Sequence, residues 1–224
     1  MKIRIINPDY GVGEEAMAQR CDLLQAYVGP DVELSMVCLT QTKIEIDSAS
    51  DVVLAGPEIL GLAQQAQQDG CQAVVLYCFS DPAVEACREQ LTIPVVGGAQ
   101  ASMLLFPFLS RNVAVILADK ARIGEKEAFL GTLGVDRHRI GTVAAIDFRG
   151  KSIWDNREEA FQELAAVGKR LKEQGAECLA LGCLSFLGLA APLSKELGIP
   201  VIDPAIAAVS LAESLVRQGL STSK

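Results

Sequence analysis

Two stretches of this 224-residue chain repeat one another, and any fold it adopts has to place both. The first is Gly70-Cys71-Gln72-Ala73-Val74-Val75-Leu76-Tyr77-Cys78. It continues through Phe79-Ser80-Asp81-Pro82 and a helix-like segment to Ile93-Pro94-Val95-Val96-Gly97. The second is Gly175-Ala176-Glu177-Cys178-Leu179-Ala180-Leu181-Gly182-Cys183, continuing through Leu184-Ser185-Phe186 to Gly198-Ile199-Pro200-Val201-Ile202-Asp203. A glycine precedes the final cysteine by eight positions in both copies, and a proline follows it by sixteen positions in one and seventeen in the other. Short apolar runs without alternation read as strands covered on both faces, the signature of a parallel sheet flanked by helices.

The surrounding order fits. Lys2 to Ile6 reads as a strand stopped by the turn cluster Asn7-Pro8-Asp9-Tyr10-Gly11, and Glu14 to Tyr27 as a helix broken by Gly29-Pro30. Val32 to Leu39 is a second strand, Thr40-Gln41-Thr42 a polar loop, and Gly56-Pro57 to Asp69 a helix. After the first copy, Gly97 to Phe108 reads as a helix crossing into the second half. Val113 to Leu117 and Ile140 to Ile146 are strands separated by a helix over Lys120 to Leu133, with Gly134 as its cap. Trp154 to Gln174 and Ala205 to Arg217 are the last long helices. Each half therefore runs strand, helix, strand, helix, Cys strand, helix, Ile-Pro strand. The expected fold is α/β, with two pseudo-symmetric lobes, each a mainly parallel four-stranded sheet flanked by helices. The boundaries fall at 1–97 plus 204–224 for the first lobe and 98–203 for the second. Ligands of open parallel sheets sit beyond the carboxyl ends of the strands. Asn7, Thr40, Cys78, Gly97, Ala118, Cys183 and Asp203 lie near such ends, and two lobes facing each other would put Cys78 and Cys183 across one cleft.

Composition narrows the function. Half the residues are hydrophobic and only 5% aromatic, which is a globular, aliphatic core. A net charge of −8 argues against nucleic-acid or anionic-membrane partners. The chain carries no targeting signal at its N-terminus, and its most apolar window, Cys178 to Leu193, is too short to cross a bilayer, so a cytoplasmic protein is expected. Seven cysteines, an odd number, without C-x-x-C and with His138 as the one histidine, point to reduced thiols rather than disulfides or zinc. His138 stands between two arginines and reads as solvated, and Trp154 reads as packing. Gly11-Val12-Gly13 lacks the remaining residues of a phosphate loop and is a turn.

Cys21, Cys38, Cys71, Cys87 and Cys178 read as small packing residues. Cys78 and Cys183 differ, because each ends a strand before a helix, where N–H groups and the positive end of the helix favour a thiolate. Two such groups on opposite walls suit inversion of a carbon acid: one thiolate removes the proton and the other thiol returns one on the far face. Backbone amides beside them would hold a carboxylate or enolate oxygen, and no cofactor is then needed. Asp81-Pro82 reads as a helix N-cap with Pro at the first position. Ser80 and Ser185, each two residues past a thiol, suit capping and substrate hydrogen bonding equally. Asn7 suits both a turn and a substrate contact.

Asn7-Pro8, Cys78-Phe79-Ser80-Asp81-Pro82, Pro94-Val95-Val96-Gly97 and Leu181-Gly182-Cys183 resemble the pyridoxal-phosphate-independent aspartate/glutamate/hydantoin racemase superfamily, above all its hydantoin and allantoin branch. The resemblance covers nearly the whole chain. It implies a cofactor-independent racemase or epimerase with catalytic Cys78 and Cys183 facing each other between the lobes. Asn7, Phe79, Ser80, Gly98, Leu184 and Ser185 are then its candidate contacts to a small-molecule substrate, with no metal. The chain departs from the branch at Asp9-Tyr10, where Asn and then Ser or Thr are usual, and at Leu117-Ala118-Asp119, which lacks the usual Ser or Thr. Asp9 would repel a carboxylate unless paired, and Tyr10 would narrow the entrance. Ser185 stands where glutamate racemases carry His, so free glutamate is a poorer substrate expectation. Two alternatives stay open: a maleate-type cis–trans isomerase with a nucleophilic thiol, and a non-catalytic two-lobed binding protein. A homo-oligomer fits base rates alone.

Overall fold

The computed structural model describes residues 1–222. The chain forms two compact units, one from Met1–Ala101 joined by the segment from Ala205 onward, the other from Ser102–Pro204. The first lobe holds β1 (Lys2–Tyr10), α1 (Glu14–Gln25), β2 (Glu33–Leu39), α2 (Ala49–Gln68), β3 (Ala73–Leu76), α3 (Val84–Gln90) and β4 (Val95–Gly97), which leads into α4 (Gly98–Leu105). Its sheet has the order β2-β1-β3-β4, with every pair parallel. The second holds β5 (Val113–Leu117), α5 (Ile123–Leu130), β6 (Ile140–Ala145), α6 (Arg157–Glu173), β7 (Leu179–Leu181), α7 (Ala190–Leu197) and β8 (Val201–Ile202). Its sheet, β6-β5-β7-β8, is the same design, also all parallel. The doubled α/β order read from the repeats is the order observed.

The apolar runs explain the sheets. Ala73 to Leu76 and Leu179 to Leu181 are buried at every position, as required of strands with neighbours on both edges and helices over both faces. In the first lobe Ile6, Leu39, Val74, Leu76 and Val95 pack against Ile59 and Ala63 of α2. In the second, Ile116, Leu179 and Leu181 pack against Leu164 and Leu171 of α6 and Leu193 of α7. The last helix, α8 (Pro204–Arg217), belongs with the first lobe from Ala205 on, buries Ala208, Val209 and Ala212, and is also tied at its polar edge. Glu213 accepts the Gly29 N–H at 3.1 Å, and the Arg217 guanidinium meets Asp31 at 2.6 Å.

Several boundaries differ from the sequence reading, each for a local reason. β1 does not stop at Asn7 but runs to Tyr10, and Pro8, which has no N–H for a ladder, falls where the β1–β2 register shifts. α2 begins at Ala49 and passes through Gly56-Pro57. Pro57 lies exposed on that helix, so its ring faces water, although an interior proline costs about 3 kcal/mol. The missed signal was Ser48-Ala49-Ser50-Asp51, a capping box. The Ser48 hydroxyl accepts from the Asp51 N–H at 3.2 Å and donates to the Asp51 carboxylate at 2.6 Å. α4 ends at Leu105 and tightens to a 3-10 turn over Phe106–Phe108, because Pro107 has no N–H to continue the helix. The expected helix from Lys120 is a 3-10 turn followed by the shorter α5, capped at Gly131 rather than Gly134. α6 starts at Arg157, and Trp154 lies before it, its ring 4.7 Å from the Arg157 guanidinium carbon.

Removing the α2 cap with Ser48→Ala should lower stability by about 1 kcal/mol, and the melting temperature by about 2–4 °C, in a thermal scan.

Candidate active site

Both candidate thiols sit on turns two residues past the end of a central strand. In the first lobe the Tyr77 N–H still bonds the Ile6 carbonyl at 2.8 Å, so the chain leaves the sheet at Cys78. The Cys78 carbonyl accepts the N–H of Asp81, three residues on, at 3.2 Å. Phe79 and Ser80 between them are buried, Cys78 is half-buried, and the guanidinium carbon of Arg20 lies 5.8 Å from the centre of the Tyr77 ring. In the second lobe the Gly182 N–H bonds the Ile116 carbonyl at 2.7 Å, and the chain leaves at Cys183. The Cys183 carbonyl accepts the N–H of Phe186, again three residues on and again at 3.2 Å. Leu184 is buried, and Ser185 and Cys183 are half-buried. Gly182 is required by space, since a Cβ there would lie 2.4 Å from Leu117 Cδ2 and 3.0 Å from the Ile116 carbonyl oxygen.

The turns correct the expectation that each thiol adjoins a helix start. α3 begins at Val84 and α7 at Ala190, and Cys183 instead heads a 3-10 turn over Leu184–Phe186. N–H groups of these turns, rather than the first turn of α3 or α7, stand next to each cysteine in the chain. Ser80 and Ser185 do not cap the helices, because the N-cap residues are Ala83 and Leu189. Asp81 does not cap α3 either. Its carboxylate reaches across to α4, accepting the Ala99 N–H at 3.0 Å and the Gln100 N–H at 2.8 Å, beside the buried Gly98. Sequence reasoning missed this partner, as it missed Arg157, whose guanidinium donates to the Leu187 carbonyl at 2.6 Å and steadies the Cys183 turn.

Asn7 is buried within β1, one residue past the last β1–β3 pair, and its side-chain oxygen accepts the Asp9 N–H at 3.3 Å; the turn expected to start at Asn7 comes only after Tyr10. Asp9 is engaged as well. Its carboxylate accepts the Ile46 N–H at 3.3 Å; burial raises its pKa above the ordinary carboxylate value, with the Ile46 bond and the charge of Arg20 opposing. Tyr10 is exposed, with the Lys43 ammonium 5.9 Å from its ring centre. Asp119 caps the 3-10 turn after β5, accepting the Ala121 N–H at 2.8 Å, and pairs with Arg149 at 3.6 Å. Neighbouring loops are also tied by carboxylates. Glu58 accepts the N–H groups of Thr40, Gln41 and Thr42, and Glu163 accepts that of Asp147. All seven cysteines are unbridged, and burial pushes the Cys21, Cys87 and Cys178 thiols up to about 11, which suits packing. Among the described residues no group of three or more His, Cys, Asp or Glu side chains is arranged to hold a metal ion. No helix among them is long and apolar enough to cross a membrane.

Two carboxylates give pH-dependent tests. Burial works against ionised Glu58, but the backbone N–H groups of Thr40, Thr42 and Gln41 outweigh it and lower its pKa from 4.5 to about 2. A depressed carboxylate stabilises the fold above its unfolded pKa and loses that contribution as pH falls through the folded value. Glu58→Gln should therefore cost about 1 kcal/mol at neutral pH, an amount already discounted for solvent screening, and the difference from wild type should close between pH 4.5 and 2 in urea titrations. Asp9 has the opposite sign: a raised carboxylate contributes stability below its unfolded pKa that is lost as pH rises through the folded one. Asp9→Asn, which keeps an acceptor for Ile46, should melt higher than wild type at neutral pH, with the gain disappearing below the model-peptide value of 3.8.

Comparison with known proteins agrees with this architecture. The Asp/Glu/Hydantoin racemase family profile matches residues 3–212. A hydantoin racemase of Rhizobium meliloti is 32% identical over 225 residues, covering 100% of this chain and 92% of its own length. Among solved structures, the allantoin racemase of Klebsiella pneumoniae superposes with a TM-score of 0.90 at 27% identity, over 99% of this chain and 90% of that one. The allantoin racemase of Pseudomonas fluorescens gives 0.87 at 26% identity, over 100% of this chain and 94% of that one. With a parallel sheet, a glycine-led strand and a cysteine turn repeated in each lobe, the chain belongs to the Asp/Glu/Hydantoin racemase family and is an isomerase.

Proposed function

We propose that this enzyme racemises a neutral cyclic ureide of the hydantoin or allantoin kind, with Cys78 and Cys183 as its acid/base pair and no cofactor. The observation that carries the reading is the matched geometry of the two thiol turns. Each cysteine stands two residues past its strand, and each has its carbonyl bonded to the N–H three residues on at 3.2 Å. The stereocentre of such a ring bears a proton next to a ring carbonyl, and its removal places charge on that oxygen. One cysteine, as thiolate, takes the proton while the other, as thiol, delivers its own to the opposite face; the roles reverse for the other enantiomer. N–H groups of the Phe79-Ser80 and Leu184-Ser185 turns, Asn7 and the Gly98 N-terminus of α4 are the proposed contacts to the ring and the enolate.

A ring without a carboxylate is favoured over a free amino acid by Asp9. It stands where the branch usually has a neutral polar group, and its carboxylate is committed to the Ile46 N–H of its own lobe. A substrate carboxylate near it would meet like charge, whereas a ureide offers N–H donors and carbonyl acceptors.

Proton NMR in D2O with chiral hydantoins, allantoin and amino acids tests the reading through loss of the α-proton signal. Exchange with the ureides should require both thiols, and Cys78→Ser and Cys183→Ser should each reduce turnover by roughly 10²-fold or more. Full exchange in both variants would sink the acid/base pair. A covalent thiol adduct on an unsaturated diacid, seen by mass spectrometry, would replace it with cis–trans isomerisation.

A further inference from the structure

The repeat can be aligned residue by residue through the sheets. Matching Cys78 with Cys183 puts Val74 on Leu179, and these pair with Val95 and Val201 respectively. The fourth strands are thereby aligned, and Gly97 falls on Asp203. The thiol turns align too, Asp81 on Phe186 and Ala83 on Gly188. Ala83 and Gly188, each five residues past a thiol, share a left-handed backbone, with φ of +58° and +84°.

One buried carboxylate fills the same place in both lobes but comes from opposite chain segments. In the second lobe it belongs to Asp203, at the end of the fourth strand, and Oδ2 accepts the N–H of Gly188 on the thiol turn at 2.8 Å. In the first lobe the equivalent residue is Gly97, and a Cβ there would lie 2.2 Å from Cγ of Asp81. That carboxylate comes from the thiol turn itself and is held by the Ala99 and Gln100 N–H groups of α4, while the backbone N–H of Asp81 holds the Cys78 carbonyl. Asp81 adopts φ +45°, which a non-glycine residue keeps only when its surroundings fix it. Asp81 and Asp203 are 4% and 5% exposed. Each charge-assisted bond ties a cysteine turn to the start of the helix that follows the fourth strand.

We propose that Asp81 and Asp203 are positioning residues, one for each thiol, which lock the Cys78 and Cys183 turns independently by the same bond built in opposite directions. The consequence for the reaction rests on the acid/base reading above. The local consequence does not.

The test is peptide-resolved alkylation of Cys78 and Cys183 by iodoacetamide in the intact enzyme, followed by mass spectrometry. Asp81→Asn, which keeps the size of the side chain but not its charge, should change the Cys78 rate by roughly tenfold and leave Cys183 as in wild type. Asp203→Asn should do the reverse. The exchange of devices is the second arm. Gly97→Asp alone should unfold the first lobe and Asp81→Gly alone should alter Cys78. The double variant, with the carboxylate now able to reach the Ala83 N–H, should bring the Cys78 rate back to within about threefold of wild type. Unchanged rates at both thiols, an equal change at both, or a double variant no better than Asp81→Gly would each overturn the proposal. In turnover, Asp81→Asn should raise the primary deuterium isotope effect on kcat/KM for one enantiomer and Asp203→Asn for the other. If Cys78→Ser and Cys183→Ser prove active, the acid/base reading fails while the alkylation rates still decide the role of the two carboxylates.

Discussion

Everything at the candidate site follows from the parallel pairing of β1 with β3 and of β5 with β7. A strand with partners on both edges and helices over both faces has no water to satisfy its backbone, so its ladder must be complete and its side chains apolar. The first place the chain can expose a polar side chain is just past the last ladder bond. In both lobes that place is a cysteine, two residues beyond the strand. The Tyr77 N–H to Ile6 and the Gly182 N–H to Ile116 are the last bonds to the neighbouring strand before each thiol.

The thiol turns show how little regular structure such a site needs. The α-helix that follows each cysteine, α3 or α7, starts six or seven residues further along the chain. What fixes each turn is a set of directed hydrogen bonds from elsewhere in its lobe: α4 through Asp81, Arg157 through Leu187, Asp203 through Gly188. Bonds of this kind, made to ionised groups away from water, are stronger than neutral ones and have a defined direction, which suits a part that must hold one side chain in place.

Carboxylates elsewhere in the two lobes make the same kind of bond. Asp9, Glu58, Asp119 and Glu163 each accept backbone N–H groups of loops that leave the sheets. The chain carries 28 acidic residues and a net charge of −8, and these four are tied to loops of their own lobes. Asp9, which as a sequence departure raised the question of repulsion, and Asp119 are both used for scaffolding within their own lobes.

By itself the sequence determined the repeated α/β order, the strands and the two cysteines, because these depend on short-range periodicity and on a repeat that survives in the letters. It also contained the Ser48–Asp51 capping box that starts α2. Only the tertiary structure decided where Asp81 bonds, since Ala99 and Gln100 lie eighteen and nineteen residues away and nothing in Asp-Pro distinguishes a local cap from a distant one. It likewise decided why Gly97 is glycine while its counterpart is Asp203: a carboxylate from another segment already occupies the space, and occupancy of space is a property of the packed chain alone.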